Sequence, residues 1–384
     1  MSEWKVYKLG ELGTVITGKT PSSRNPEEWG EDMLFITPSD YRNYRKYAND
    51  SERKLSTIGI ERLKTKVLPP KSVLVTCIGS DMGKVVMNDA DCITNQQINA
   101  IIPYTNVDND FLYYTLVSIY DTLRIYGGDG TAVPIVNKND FENINVEIPT
   151  DIDEQKQIAF VLSSLDDKID LLNRENATLE AMAETLFRQW FIEDAKEDWE
   201  EKPLSSIATF LNGLACQKYP PKNEIEKLPV LKIRELTNGI GADSDWATTD
   251  VGEEYIVQSG DVIFAWSASL MVKIWDGEDC ILNQHLFKVT STTYPKWFYY
   301  LWCKHHLNEF IAIAQSHATT MGHIKRNDLD TAMVLVPSPD ELKILSETME
   351  PIFSKLKNNN YQLVSLRTQR DILLPKLMSN EIEL

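Results

Sequence analysis

No run of this sequence approaches the apolar length of a membrane span, and its opening stretch, MSEWKVYKLG, is not a secretory signal. Cysteine is sparse. Cys77, Cys92, Cys216, Cys280 and Cys303 contain no C-x-x-C pair, which excludes the usual thiolate metal and redox motifs. Buried thiols in a reducing, cytoplasmic compartment are the expectation. The five histidines all fall in the second half and form no H-E-x-x-H, and His305-His306 reads as helix surface. There is no G-x-G-x-x-G loop, no N-P-P-[YF] or D-P-P-Y motif, no carboxylate cluster with lysine of the nuclease kind, and no helicase motif. No catalytic residue and no metal ligand is assigned, and the chain reads as a non-catalytic scaffold. Positive charge is also short. The net charge is −18, which at first argues against a polyanionic partner. The deficit is uneven, however: residues 151–198 hold 5 basic against 13 acidic side chains.

The 384 residues, 42% of them hydrophobic, suffice for two or three domains. Near the start, GTVITGKT (13–20) matches the P-loop pattern letter for letter. The pattern needs a helix directly after it, and Pro21, Pro26 and Gly30 prevent one.

An internal repeat spans the chain. DCITNQQI (91–98) returns as DCILNQHL (279–286), SVLVT (72–76) as DVIFA (261–265), FLYYTL (111–116) as WFYYLW (297–302), and VNKNDF (136–141) as IKRNDL (324–329). Trp4, Leu9, Leu12 and Gly18 correspond to Trp199, Leu204, Ile207 and Gly213. The second copy keeps the glycine but loses Gly-Lys-Thr, so the shared feature is not a phosphate cradle. The spacing W-x4-L-x2-h predicts a helix closed by a glycine cap. Short β-rich runs mixed with helices over 109–122 and 296–314 predict a compact α+β domain in each copy.

A long helix follows each copy. The first repeats apolar residues by fours and threes from Ile158 through Leu172 to Trp190, with Asn176 as its one polar seam position. The second does so from Leu345 through Leu363 to Leu377, with Asn359. Laid antiparallel so that Asn176 meets Asn359, the seams pair Ile158 with Leu377, Leu172 with Leu363 and Trp190 with Leu345. A buried Asn pair fixes register at some cost in stability. The expectation is α+β: two similar domains, 1–150 and 199–337, separated by two long antiparallel coiled-coil helices, 151–198 and 338–384, with a pseudo-twofold internal repeat. A seam of 32 residue steps covers ~48 Å, about 14 base pairs of duplex.

TGKTPSSRNPEEWG and FITPSDY near the start, the paired NQ strands, IPTDIDEQKQI before the first helix, LFRQWF (186–191) closing it and LLPKLMSNEIEL closing the second carry a further reading. With them the whole chain resembles the specificity subunit of type I restriction–modification systems. The resemblance implies two target-recognition domains, each reading one half of a bipartite, asymmetric double-stranded DNA target, with the helices as ruler. It implies two modification (methyltransferase) subunits and restriction (endonuclease/translocase) subunits as partners. S-adenosylmethionine, ATP and Mg²⁺ would then sit on those partners, with no cofactor on this chain. One departure is that the second copy reads DELKIL where the first has DEQKQI, which questions strict equivalence of the helix starts. The alternatives are a specificity module of another defence complex or of a stand-alone methyltransferase, and a protein–protein scaffold with no DNA role.

The repeat also sorts residues: shared positions read as scaffold, and polar loop positions that differ read as readout. Asn95-Gln96 and Asn283-Gln284 fall in the first group, with Gln97 and His285 left open. DNA-contact candidates in the first copy are Lys19, Thr20, Arg42, Tyr44, Arg45, Lys46, Lys84, Thr131 and Lys138. In the second they are Gln217, Lys218, Ser267, Lys273, Thr319, Thr320, His323, Lys325 and Arg326. Lys138 and Arg326 match across the copies, which suits a phosphate contact independent of sequence.

Overall fold

The computed structural model describes residues 3–43, 46–79, 81–128, 134–241, 243–316 and 322–382. They form two compact units, Met1–Asp170 with Arg367–Leu384, and Leu171–Leu366.

In the first unit, Trp4–Lys8 is a strand paired antiparallel with Asn145–Pro149. A single helical turn, Leu9–Leu12, follows and buries both leucines. The helix expected from W-x4-L-x2-h is therefore one turn long. Pairing with a strand some 140 residues away claims Trp4, and only the Leu9/Leu12 step is helical. Gly13–Thr17 then joins a five-stranded sheet in the order Gly13–Thr17, Ile98–Pro103, Val73–Thr76, Val85–Asn88, Tyr47–Ala48. A four-stranded sheet runs Trp29–Gly30, Arg53–Leu55, Met33–Ile36, Cys92–Thr94, its last pair parallel.

The P-loop reading ends here. Its first five positions, Gly13–Thr17, are strand, the Lys19 N–H donates to Thr94 O at 2.8 Å, and only a short 3-10 turn, Pro26–Glu28, comes next. Gly18 is not a helix cap. A Cβ there would lie 2.2 Å from Thr94 O and 2.3 Å from Asn95 O, so the glycine admits close approach of two main chains.

The second unit repeats the plan. Glu200–Pro203 pairs with Met333–Val336, and the turn Leu204–Ile207 buries Leu204 and Ile207. One sheet runs Thr209–Asn212, Leu286–Thr290, Val262–Ala265, Met271–Ile274; the other runs Trp246–Thr248, Lys227–Leu231, Cys280–Leu282, Ile256–Val257. Gly213 stands like Gly18, where a Cβ would lie 2.3 Å from Asn283 O. The helices expected over 109–122 and 296–314 are each broken once. Asn109–Ser118 gives way to Tyr120–Tyr126, and Lys296–His305 to Leu307–Ser316. Asp108 caps the first of these, accepting from the Phe111 N–H at 2.9 Å.

The long helices are Ile152–Arg188, continued by a π-helical turn Gln189–Glu193, and Pro339–Met378. Asp151 accepts the Asp153 N–H at the first start, and Ser338 with Glu341 forms a reciprocal cap at the second. Trp4 Nε1 donates to Glu154 and Trp199 Nε1 to Glu341, both at 3.2 Å, so the starts are equivalent. The departure is confined to the next side chain. Gln155 is buried and bonds Asp108 N and Pro149 O, whereas Leu342 packs on the second core.

In the first unit Ile158, Leu162 and Leu377 share one apolar cluster, and Arg370 pairs with Asp166 at 3.2 Å. In the second, Asn359 Nδ2 donates to Asn176 Oδ1 at 2.9 Å, the register expected from the seam. Trp190 and Leu345 flank the same core. Asn360 also joins, accepting from Asn176 Nδ2 at 2.8 Å, and Asn359 Nδ2 reaches Glu175 at 2.9 Å. All five cysteines are free and buried, and burial pushes the thiols of Cys77 and Cys92 up to about 12.

Candidate nucleic-acid interface

The NQ turns form the frame. Asn95 Oδ1 accepts the Gln97 N–H at 3.0 Å, and its own N–H donates to Ile36 O at 3.1 Å. Asn283 repeats this with the His285 N–H at 3.3 Å and with Leu231 O at 3.2 Å. Both asparagines are buried and hold the turn that carries position 97 or 285. Their glutamine neighbours are less committed. Exposed Gln96 accepts from Thr20 Oγ1 at 2.7 Å, and Gln284 Nε2 lies 3.4 Å from His285 Nε2.

In the first unit Lys19 is exposed beside that turn. Lys84 is half exposed and paired with Asp81 at 2.6 Å, and Lys138 pairs with Glu142 at 3.4 Å. These pairs are surface pairs and release their lysine readily to a phosphate. Lys46 is different. It is 7% exposed, bonded to Asp110 at 2.5 Å and Ser163 at 2.7 Å, and lies over the rings of Tyr113 and Tyr114. This corrects its place among the readout residues, because its ammonium is enclosed by groups distant in sequence. Tyr44, Arg45 and Thr131, and the side chain of Arg42, lie outside the described residues.

In the second unit Gln217 and Lys218 are exposed on a 3-10 turn, and Gln217 lines a cleft with Pro220, Lys232, Asp245 and Trp246. Lys273 is partly drawn in, paired with Asp276 at 2.8 Å. Ser267 is buried and its Oγ meets His285 Nδ1 at 3.1 Å, so it positions another side chain instead of reading DNA itself. Lys325 is exposed and its N–H is capped by Asp328 at 2.6 Å; Arg326, next to it, is exposed at the first turn of its helix. His323 is exposed. Thr319 and Thr320 lie outside the described residues.

One residue was missed. Trp266 directly follows the strand Val262–Ala265, and its ring centre lies 5.9 Å from that of His285 and 6.2 Å from that of His323. The signal lay in the repeat: laying FAWSAS (264–269) on VTCIGS (75–80) puts Trp266 opposite Cys77. The geometry so assembled contains exposed amide, imidazole, ammonium and guanidinium groups on turns and helix starts that flank the sheets. That inventory supports binding and hydrogen-bond readout.

The model of the type I restriction modification DNA specificity domain matches residues 1–181 and again 196–366, and the chain belongs to this family. It is a DNA-recognition subunit of the type I restriction–modification kind. Over 410 residues it is 27% identical to the type I restriction enzyme MjaIX specificity subunit of Methanocaldococcus jannaschii, covering 99% of this chain and 94% of that one. It is 36% identical over 149 residues, 38% of this chain and 32% of the other, to the HindI specificity subunit of Haemophilus influenzae. The crystal structure of a type I restriction–modification S subunit from M. genitalium shares the fold, with a TM-score of 0.59 at 14% identity over 98% of this chain and 96% of that one.

Proposed function

We propose that each unit reads one half of a bipartite, asymmetric duplex DNA target, and that the paired long helices set the spacer between the halves and dock two modification subunits. The observation that carries this reading is the internal repeat itself. Two units share the order of four strands in one sheet and three in the other, and the NQ turn, while the polar groups beside that turn differ. One frame with two sets of side chains suits two different half-sites. Catalysis is assigned to the partners: modification subunits that bring S-adenosylmethionine, and restriction subunits that bring ATP and Mg²⁺. The chain would work in the cytoplasm; no helix among the described residues is long and apolar enough to cross a membrane. The net charge of −18 is reconciled if the contact face is locally basic, through Lys19, Lys84, Lys138, Lys218, Lys325 and Arg326, and if cationic partners close around the duplex.

The test is co-expression with the modification subunit encoded beside it, in a host without such systems, followed by long-read mapping of methylated bases. A split, asymmetric motif with a fixed spacer is expected. A contiguous motif, or no new methylation from a soluble complex, would overturn the two-reader assignment.

A further inference from the structure

The second unit carries a surface cluster that the first lacks, although the main chain beneath it is the same. Trp266 N–H donates to His285 O at 3.4 Å as Cys77 N–H donates to Gln97 O at 2.7 Å. Ile324 N–H donates to Trp266 O at 3.1 Å as Val136 N–H donates to Cys77 O at 2.8 Å. Ser267 is bridged to His323 as Ile78 is to Ile135. With the frame held, the side chains are exchanged at every one of these positions: Cys77 for Trp266, Ile78 for Ser267, Gln97 for His285, Ile135 for His323. The replacements put aromatic and hydrogen-bonding groups where the first unit has a buried thiol and an exposed isoleucine.

The cluster is also held in place. The Trp266 indole stacks on Phe287 at 5.7 Å and 26°, and its Nε1 donates to Asn212 Oδ1 at 3.1 Å. Ser267 Oγ fixes one edge of the His285 ring and leaves Nε2 beside the Gln284 amide. His285 and His323 are exposed. Trp266 also packs on the edge of the core, but core packing does not ask for the two imidazoles beside it, because an exposed imidazole buries little apolar surface. A ring edge and a carboxamide fixed on strand ends present directional donors and acceptors with little entropy left to lose on binding.

We propose that Trp266, His285 and His323 form the specificity-determining surface of the second unit and contact base edges of its half-site, with Gln284, which the first unit matches as Gln96, adding a contact common to both frames. Imidazole nitrogen and the Gln carboxamide match the hydrogen-bonding edges of purines in the major groove, and the indole provides an apolar face for a thymine methyl group. Ser267 and Asn212 are positioning residues. This inference rests on the two-reader assignment.

Once the methylated motif is known, the test measures binding of the assembled complex to duplexes carrying every single base substitution in both half-sites. Wild type is compared with His285→Gln, His323→Ile (each the first unit's residue) and Trp266→Phe. Discrimination should fall roughly 5- to 150-fold at one or two adjacent base pairs of one half-site. The other half-site should keep wild-type discrimination, which also certifies that the complex is assembled. Uniform weakening on all duplexes, or an unchanged profile in all three variants, overturns the proposal. Should Trp266→Phe fail to fold, the two histidine variants decide alone. Failure of the two-reader assignment looks different: the wild-type complex itself would show no split preference.

Discussion

Asn176 is the most informative single position in the helical seam. Asn176→Ala removes the acceptor for Asn359 Nδ2 and the donor to Asn360 Oδ1. Each neutral hydrogen bond is worth about 1 kcal/mol net, and the buried Asn360 oxygen left without its partner adds about 1 kcal/mol more. Asn359 Nδ2 keeps Glu175, which limits the loss on that side. The sum is about 3 kcal/mol, or a Tm lower by roughly 6–12 °C for a unit of this size. Asn359 Oδ1 has no hydrogen-bond partner among the described residues, so the wild-type network is already imperfect. Replacing the facing pair, Asn176→Leu with Asn359→Leu, should therefore recover the share of the loss on the Asn359 side, leaving about 2 kcal/mol from the orphaned Asn360, while loosening the register. Urea unfolding followed by tryptophan fluorescence suits the question, because seven of the nine tryptophans lie in the unit that holds this network. A loss below about 0.5 kcal/mol in the alanine variant, or a double-leucine variant less stable than either single one, would refute the reasoning.

Lys46→Met should lower stability by ~3 kcal/mol, because Asp110 would lose its buried ammonium partner, and complexes that still assemble should keep their target preference; DNA binding measured beside thermal unfolding separates the two effects. Gly18→Ala and Gly213→Ala should each cost about 3 kcal/mol or more, since the new methyl group meets backbone carbonyl oxygens, and wild type should show no ATP or GTP binding by calorimetry. Hydrogen bonds from Lys196 and then Ser338 hold the Glu341 carboxyl down at about 2, against 4.5 for a free glutamate. A depressed folded value stabilises above pH 4.5 and is lost as pH falls toward 2, so Glu341→Gln should flatten that stretch of the acid-unfolding curve. Arg326→Ala should weaken binding to all duplexes alike and make the slope of log K against log salt shallower by about 1, with the methylated motif unchanged.

Much of this was legible in the sequence, for physical reasons that differ by element. The long helices announce themselves because a 4-3 apolar period sustained from Ile158 to Trp190 has no other structural solution. The pairing of Asn176 with Asn359 follows because a lone amide in an apolar seam must find a partner. The asparagines of the NQ turns were readable as scaffold because both copies keep them. What escaped was set by contacts between distant segments. Trp4 is strand because Asn145–Pro149 pairs with it. Lys46 sits in a run that reads as solvated charge and is enclosed by Asp110, Ser163 and two tyrosines. Trp266 becomes a surface group only when the His285 turn and the segment entering Arg326–Thr331 arrive beside it.

The nesting of the two units bears on how the chain is made. Leu171–Leu366 is one unbroken stretch, whereas the other unit needs Met1–Asp170 and also Arg367–Leu384. During synthesis the second recognition unit has all of its residues while the first still lacks the helix that carries Arg370 and Leu377. Until that helix docks, the apolar cluster that holds Ile158 and Leu162 lacks Leu377. The usual order, in which the N-terminal domain finishes first, is inverted here. The unit that begins emerging before the other is the later to close, and the helical segment carrying Arg370 and Leu377 is the one that seals it.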